Sequence, residues 1–215
     1  HQAAQKTAQG YAAAETVAHL TQALSLLPQI PESPQRGLQE AELQILLGAT
    51  YVNIRGYGSD DVQQAYTKAW ALCQQQEPSP QLFRSLWGLW TFYLIRSELT
   101  TILEINKILM SVASSLNDPI ILMYSQTAMT ALYYWQGALP LQESYAEKAI
   151  AIYRQMEFDK YPQKIAAACY EYGQDVQQSY AIWGAFCGWH KGDSDHVVAH
   201  IHDLLTLSAH VQKYV

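Results

Sequence analysis

Four histidines fall between positions 190 and 202, His190, His196, His200 and His202, and imidazole is the commonest metal ligand in proteins. On a helix, His196 and His200 stand one turn apart on the same face and could grip one zinc ion. The residues between them are Val-Val-Ala, with no Glu to act as the general base of a zinc hydrolase, and no carboxylate ligand follows at a standard spacing. The expectation is therefore solvent-facing helix histidines and no metal. Asp193 and Asp195 flank Ser194 after a glycine, but a calcium loop needs further oxygen ligands and a Glu at its twelfth position. They are better placed to cap a helix and complement its dipole. Glu171 and Asp175 bracket a short turn, a pairing that acid–base catalysis uses, but no nucleophile accompanies them. Cys73, Cys169 and Cys187 are odd in number, lack a CxxC spacing and lie in apolar surroundings, which reads as packed thiols in a reducing, cytoplasmic setting. No GxxxxGK[ST] phosphate loop and no kinase or cyclase motif occurs. No catalytic residue and no cofactor is expected of these residues.

The aromatic content is the larger anomaly: six Trp and fifteen Tyr in 215 residues, with Trp87, Trp90, Phe92 and Tyr93 inside one short stretch. Trp87 and Trp183 each precede a glycine, where a large ring fills the space a missing side chain leaves, so both are expected in the core. Thirteen Lys plus Arg against nineteen Asp plus Glu give a net charge of −6, which offers no basic field for a nucleic acid. Residues 119–142 carry no charge and are long enough to cross a bilayer. Their polar Ser125, Gln126, Thr127, Thr130 and Gln136, and the breakers Gly137 and Pro140, suit a buried helix and turn instead. No membrane span is expected.

These residues have to be held by helices, because the apolar positions recur with a period near 3.6: Leu43, Leu46, Leu47, Thr50 and Tyr51 form one stripe, and Ile102, Ile105, Ile108, Leu109 and Val112 another. Ser33-Pro34, Ser79-Pro80 and Asp118-Pro119 each place a capping residue before a proline at the first helical position. A repeat organises the whole. Leu-Leu-Gly-Ala at 46–49 aligns with Leu-Trp-Gly-Leu at 86–89 and Ile-Trp-Gly-Ala at 182–185. The small residues Gly48, Gly88, Ala128 and Gly184 are separated by 40, 40 and 56 residues, and a second anchor (Ala69, Ile108, Ala149, Leu204) follows each at an offset of 20 or 21. Each unit reads as helix A, short turn, helix B. The pairs occupy 36–77, 80–116, 118–155 and 175–210, after a truncated first unit at 1–27; an insertion at 156–174 carries a short helix over Ile165–Tyr172 and is expected to edge the groove. The chain starts and stops in helix-like sequence, as expected of a piece of a larger protein.

The pairing of Gly48 with Tyr51 in helix A, and of spaced small or aromatic residues with Ala in helix B, resembles tetratricopeptide repeats of a longer, roughly 40-residue kind. His19–Leu27, Leu43–Cys73, Gln81–Leu99 and Tyr172–Trp189 look like the repeat region C-terminal to the ATPase module of large bacterial signalling proteins, which often carry a cyclase or kinase domain. HEAT-type repeats share the period and stay as an alternative. Thr91 and Ala131 stand where Tyr51 does, so the signature fades along the chain.

The resemblance implies an all-α, right-handed helical-repeat solenoid of about five helix pairs acting without catalysis. It implies a protein or peptide partner in the concave groove, an adjacent ATPase or signalling module in the same polypeptide, and self-association through exposed solenoid ends. The alternative is a small-molecule effector sensor with its pocket in that groove, rimmed by Arg55, Arg84 or Arg96. If the family geometry holds, residues five positions after each small anchor, Asn53, Tyr93, Tyr133 and Trp189, line the concave wall with Arg96 beside them.

Overall fold

Helix starts are set by the local chemistry of the caps. The Ser33 hydroxyl accepts from the Arg36 N–H at 3.1 Å, the Ser79 hydroxyl from the Leu82 N–H at 3.2 Å, and the Asp118 carboxylate from the Ile120 and Ile121 N–H groups at 2.8 and 3.2 Å. Each satisfies amides that a helix leaves without a partner in its first turn. The computed structural model describes residues 2–156, 162–173 and 175–211. Among them the chain is all-helical, with ten α-helices, one 3₁₀ turn and no strand.

These elements fall into two compact units, 1–116 and 117–215. The first holds α1 (Gln2–Leu26), the 3₁₀ turn Leu27–Gln29, α2 (Pro34–Arg55), α3 (Asp60–Cys73), α4 (Pro80–Ile95) and α5 (Leu99–Leu116). Gly56, at φ 82°, ends α2, and Ser97, at φ 58°, sits in the turn after α4. Antiparallel neighbours α2 and α3, then α4 and α5, form hairpins, and α4 also packs on α2 and α3. That central position explains the composition of α4. Leu82, Phe83, Leu86, Trp87, Leu89, Trp90 and Phe92 are all buried, so it is apolar almost all round. Between α2 and α4 stands the Tyr66 ring of α3. A Cβ at Gly48 would come within 2.8 Å of it and one at Gly88 within 2.3 Å, so glycine at both positions is what admits the ring.

The second unit holds α6 (Pro119–Trp135), α7 (Leu139–Gln155), α8 (Pro162–Tyr172), α9 (Val176–Lys191) and α10 (Ser194–Val211). The uncharged stretch at 119–142 is broken at Gly137, φ 71°, into the end of α6 and the start of α7. Among the described residues one helix, α5, is long and apolar enough to cross a membrane by length and composition. It presents Glu104 and Lys107 on the face opposite Ile102, Ile105, Leu109 and Val112, the pattern of an amphipathic helix resting on a core. α9 packs on α6, α7 and α10. The helix expected over Ile165–Tyr172 begins three residues earlier, at Pro162, and its Tyr172 ring lies 4.2 Å from that of Tyr124. Residues 157–161 and 174 of the insertion lie outside the described residues.

Candidate functional site

Of the positions picked out for a groove, two lie in the first unit, with Arg96. Asn53 is exposed in the last turn of α2. Tyr93 is half-buried; its hydroxyl accepts from Gln63 Nε2 at 3.1 Å and its ring meets Phe92 edge-on at 5.1 Å. Arg96 is exposed, held at 3.7 Å from Asp60 and 3.6 Å from Glu98, with its guanidinium over the Phe92 ring. Arg55 pairs with Asp61, and Arg84 with Glu42 at 2.7 Å. The guanidinium groups of Arg55, Arg84 and Arg96 are thus engaged with carboxylates of the same unit.

The second unit is built differently at the matching end. Tyr133 is half-buried and stacks on Tyr145 at 5.3 Å, while Trp189 is 70% exposed. Beside Trp189 the structure assembles a cluster that the sequence reading did not single out. Tyr134, in the last turn of α6, lies 4.9 Å from Trp183, 5.6 Å from Phe186 and 5.5 Å from His190, all on α9, and 5.4 Å from Trp135. Its hydroxyl meets His190 Nε2 at 3.0 Å, and the Trp189 ring in turn lies 5.3 Å from His190. Trp135 and Phe186 are 54% and 42% exposed, so the rings form a face, not a core. Trp87 is buried as expected, whereas Trp183 is only half-buried, beside the partly open rings of Tyr134 and Phe186. The signal was present in the sequence one residue away: Tyr134 and His190 each lie six positions after a small anchor, next to the offset of five that was chosen.

His190 and His202 are exposed as expected and His196 is half-buried, whereas His200 departs from the solvent-facing expectation. His200 is buried, with its ring lying where a Cβ at Gly184 would come within 2.4 Å, 5.2 Å from the Tyr180 ring and 4.5 Å from His196. Its Nδ1 has no hydrogen-bond partner, and burial, then the neighbouring His196, push its pKa down. Among the described residues no group of three His, Cys, Asp or Glu side chains surrounds one point as metal ligands would.

Asp175 is a capping residue, its carboxylate accepting from the Gln177 and Gln178 N–H groups at 2.7 and 3.1 Å. Asp193 caps α10 through the His196 N–H at 3.0 Å. The thiols are held protonated: burial pushes Cys187 up to about 11 and Cys169 up to about 12, and raises Cys73 as well. Glu143 accepts from Lys191 Nζ at 2.5 Å and from the Cys187 thiol at 3.4 Å, and the Lys191 hydrogen bond holds its carboxyl below the ordinary range. A buried, protonated cysteine beside a carboxylate already engaged by lysine is a packing arrangement, with neither a thiolate nor a free base to attack a substrate. No protein-family model, no curated protein and no solved structure matches the chain.

Proposed function

We propose that this chain is a non-catalytic recognition scaffold whose helix pairs are tetratricopeptide-like repeats of a right-handed solenoid of about five pairs. In this reading it captures a protein or peptide segment and serves as the sensor or regulatory region of a larger cytoplasmic signalling ATPase. The observation that carries recognition is the exposed aromatic face of α6 and α9. Trp135, Phe186 and Trp189 leave large rings in water, at a cost in hydration that an occupant removes. Rigid rings with few rotatable bonds concentrate binding energy when a partner desolvates them. The protonated thiols and the capping roles of Asp175 and Asp193 support a function by binding instead of chemistry. Signalling would follow if a partner bound two arrangements of the repeats unequally, since only differential affinity shifts a population.

Panning a random peptide library over the immobilised chain tests recognition. Enrichment of related sequences, lost when Trp135 and Trp189 are both replaced by Ala, is the expected result. A library that emerges unenriched overturns the reading. Small-angle scattering tests the repeat architecture separately, since a stack in which each repeat touches only its neighbours is elongated; a profile fitted by a sphere of the same mass removes it.

A further inference from the structure

We infer that the aromatic face of the second unit takes a cationic side chain, specifically the guanidinium of an arginine in a bound peptide. This inference rests on the recognition reading above and names the chemistry of its partner.

Three features of the site converge on a planar cation. The first is the rings themselves: Trp135, Phe186 and Trp189 are open to solvent around Tyr134, and indole and phenol faces carry negative quadrupole density that attracts cations. The second is where they sit. Tyr134 belongs to the last turn of α6 and meets His190 in the last turn of α9, so two helix C-termini lie side by side at the patch. Each C-terminus carries about half a negative charge, and the two add. The third is the supply of acceptors. Turn N–H groups of Gln136, Ala138 and Gly137 take the carbonyls of Leu132, Tyr133 and Tyr134, and those of Asp193 and Gly192 take the carbonyls of Gly188 and Trp189. Among the described residues no turn N–H takes the carbonyls of Trp135, His190 or Lys191. An arginine side chain can stack on a ring and still direct its forked N–H donors at such carbonyls, which a compact ammonium does less well.

The charges nearby do not oppose this. Lys191, the nearest fixed cation in sequence, is tied to Glu143 at 2.5 Å. The chain as a whole carries −6, which favours approach of a basic segment. The first unit shows the contrast within the same molecule: there Arg96 already lies over Phe92 and between Asp60 and Glu98, an internal guanidinium on an aromatic face. On the second unit Lys148 lies over Tyr145 at 4.3 Å, and among the described residues no arginine lies over Trp135, Phe186 or Trp189.

Two matched octapeptide pools, randomised except for a central arginine in one and its neutral isostere citrulline in the other, are passed over the full chain. The arginine pool should be retained at least about tenfold more strongly. Most of that preference should survive about 0.5 M salt, where screening extends over only about 4 Å. It should vanish in Trp189→Ala and, independently, in Trp135→Ala; circular dichroism of each variant confirms that the helices remain. Equal retention of both pools overturns the arginine assignment while leaving peptide recognition standing. A preference abolished by salt also overturns it, as diffuse attraction to an acidic chain. Retention of neither pool overturns both readings.

Discussion

Both units of this chain seat a ring from one helix against a glycine of a neighbouring helix, but the rings differ in what water and protons can do to them. In the first unit Tyr66 stands between Gly48 and Gly88, and burial pushes its phenol up to about 12, so it is neutral at any physiological pH. In the second, His200 lies on Gly184 with an unpartnered Nδ1 and a depressed pKa. One scaffold thus holds a notch filled by a chemically inert ring and a notch filled by a titratable one. The surfaces of the two units differ as well: in the first, Arg55 and Arg96 pair with carboxylates, and in the second Trp135, Phe186 and Trp189 stay open. The lesson is that a glycine facing a neighbouring helix permits close approach, while the ring that occupies the gap decides how that contact responds to conditions.

The comparison breaks most directly at Tyr66. Tyr66→Ala empties a space walled by two helices and should cost about 3–5 kcal/mol in denaturant unfolding, as large aromatic deletions do; a loss under about 1 kcal/mol would mean that the ring is not what joins α2, α3 and α4. Adding a single methyl on the other side of the contact, Gly88→Ala, drives a Cβ to 2.3 Å from the ring and should cost about 1–3 kcal/mol through overpacking. Gly184→Ala makes the same clash with His200, at 2.4 Å, and comparing the two variants shows whether the notches are mechanically alike.

Acid separates the notches. The folded pKa of His200 lies below its ordinary value of 6.5, so below that pH the unfolded chain takes up the proton more readily than the folded one. Stability contributed at this site is therefore full above about pH 6.5 and declines as pH falls toward the folded pKa. Hydrogen exchange should show α9 and α10 losing protection between about pH 7 and pH 5, corrected for intrinsic rates, and His200→Gln should flatten that slope. The same slope in the variant would assign the loss elsewhere.

Smaller effects probe the surfaces. Tyr93→Phe removes the hydrogen bond from Gln63 and should cost about 0.5–1.5 kcal/mol in the melting curve. Trp189→Ala should change stability by no more than about 0.5 kcal/mol, because its ring is mostly in water. A large drop for Trp189→Ala would mean that the ring supports the unit, and the recognition face would lose its main residue.

How far the chain could be read in advance follows from the range of the forces involved. Ser33, Ser79 and Asp118 announced their helices because a cap bonds amides two or three residues away, and the turn at Gly137 followed from a backbone conformation that glycine adopts without strain. Asp175 obeys the same rule, although in the sequence it stands out only as a partner for Glu171. His200 and Trp183 are another matter. A helical period places a residue on a face, but not what lies opposite that face.

What the sequence determined by itself is the all-helical class, the caps Ser33, Ser79 and Asp118 with the helix starts that follow them, and the turn at Gly137, each a property of a few consecutive residues or of their period. Only the tertiary structure decided that Tyr66 fits between two glycines, that His200 is buried, and that Tyr134 draws Trp183, Phe186 and His190 into an open face. Those outcomes depend on which helices meet and how closely, and that is settled by packing among side chains far apart in the chain.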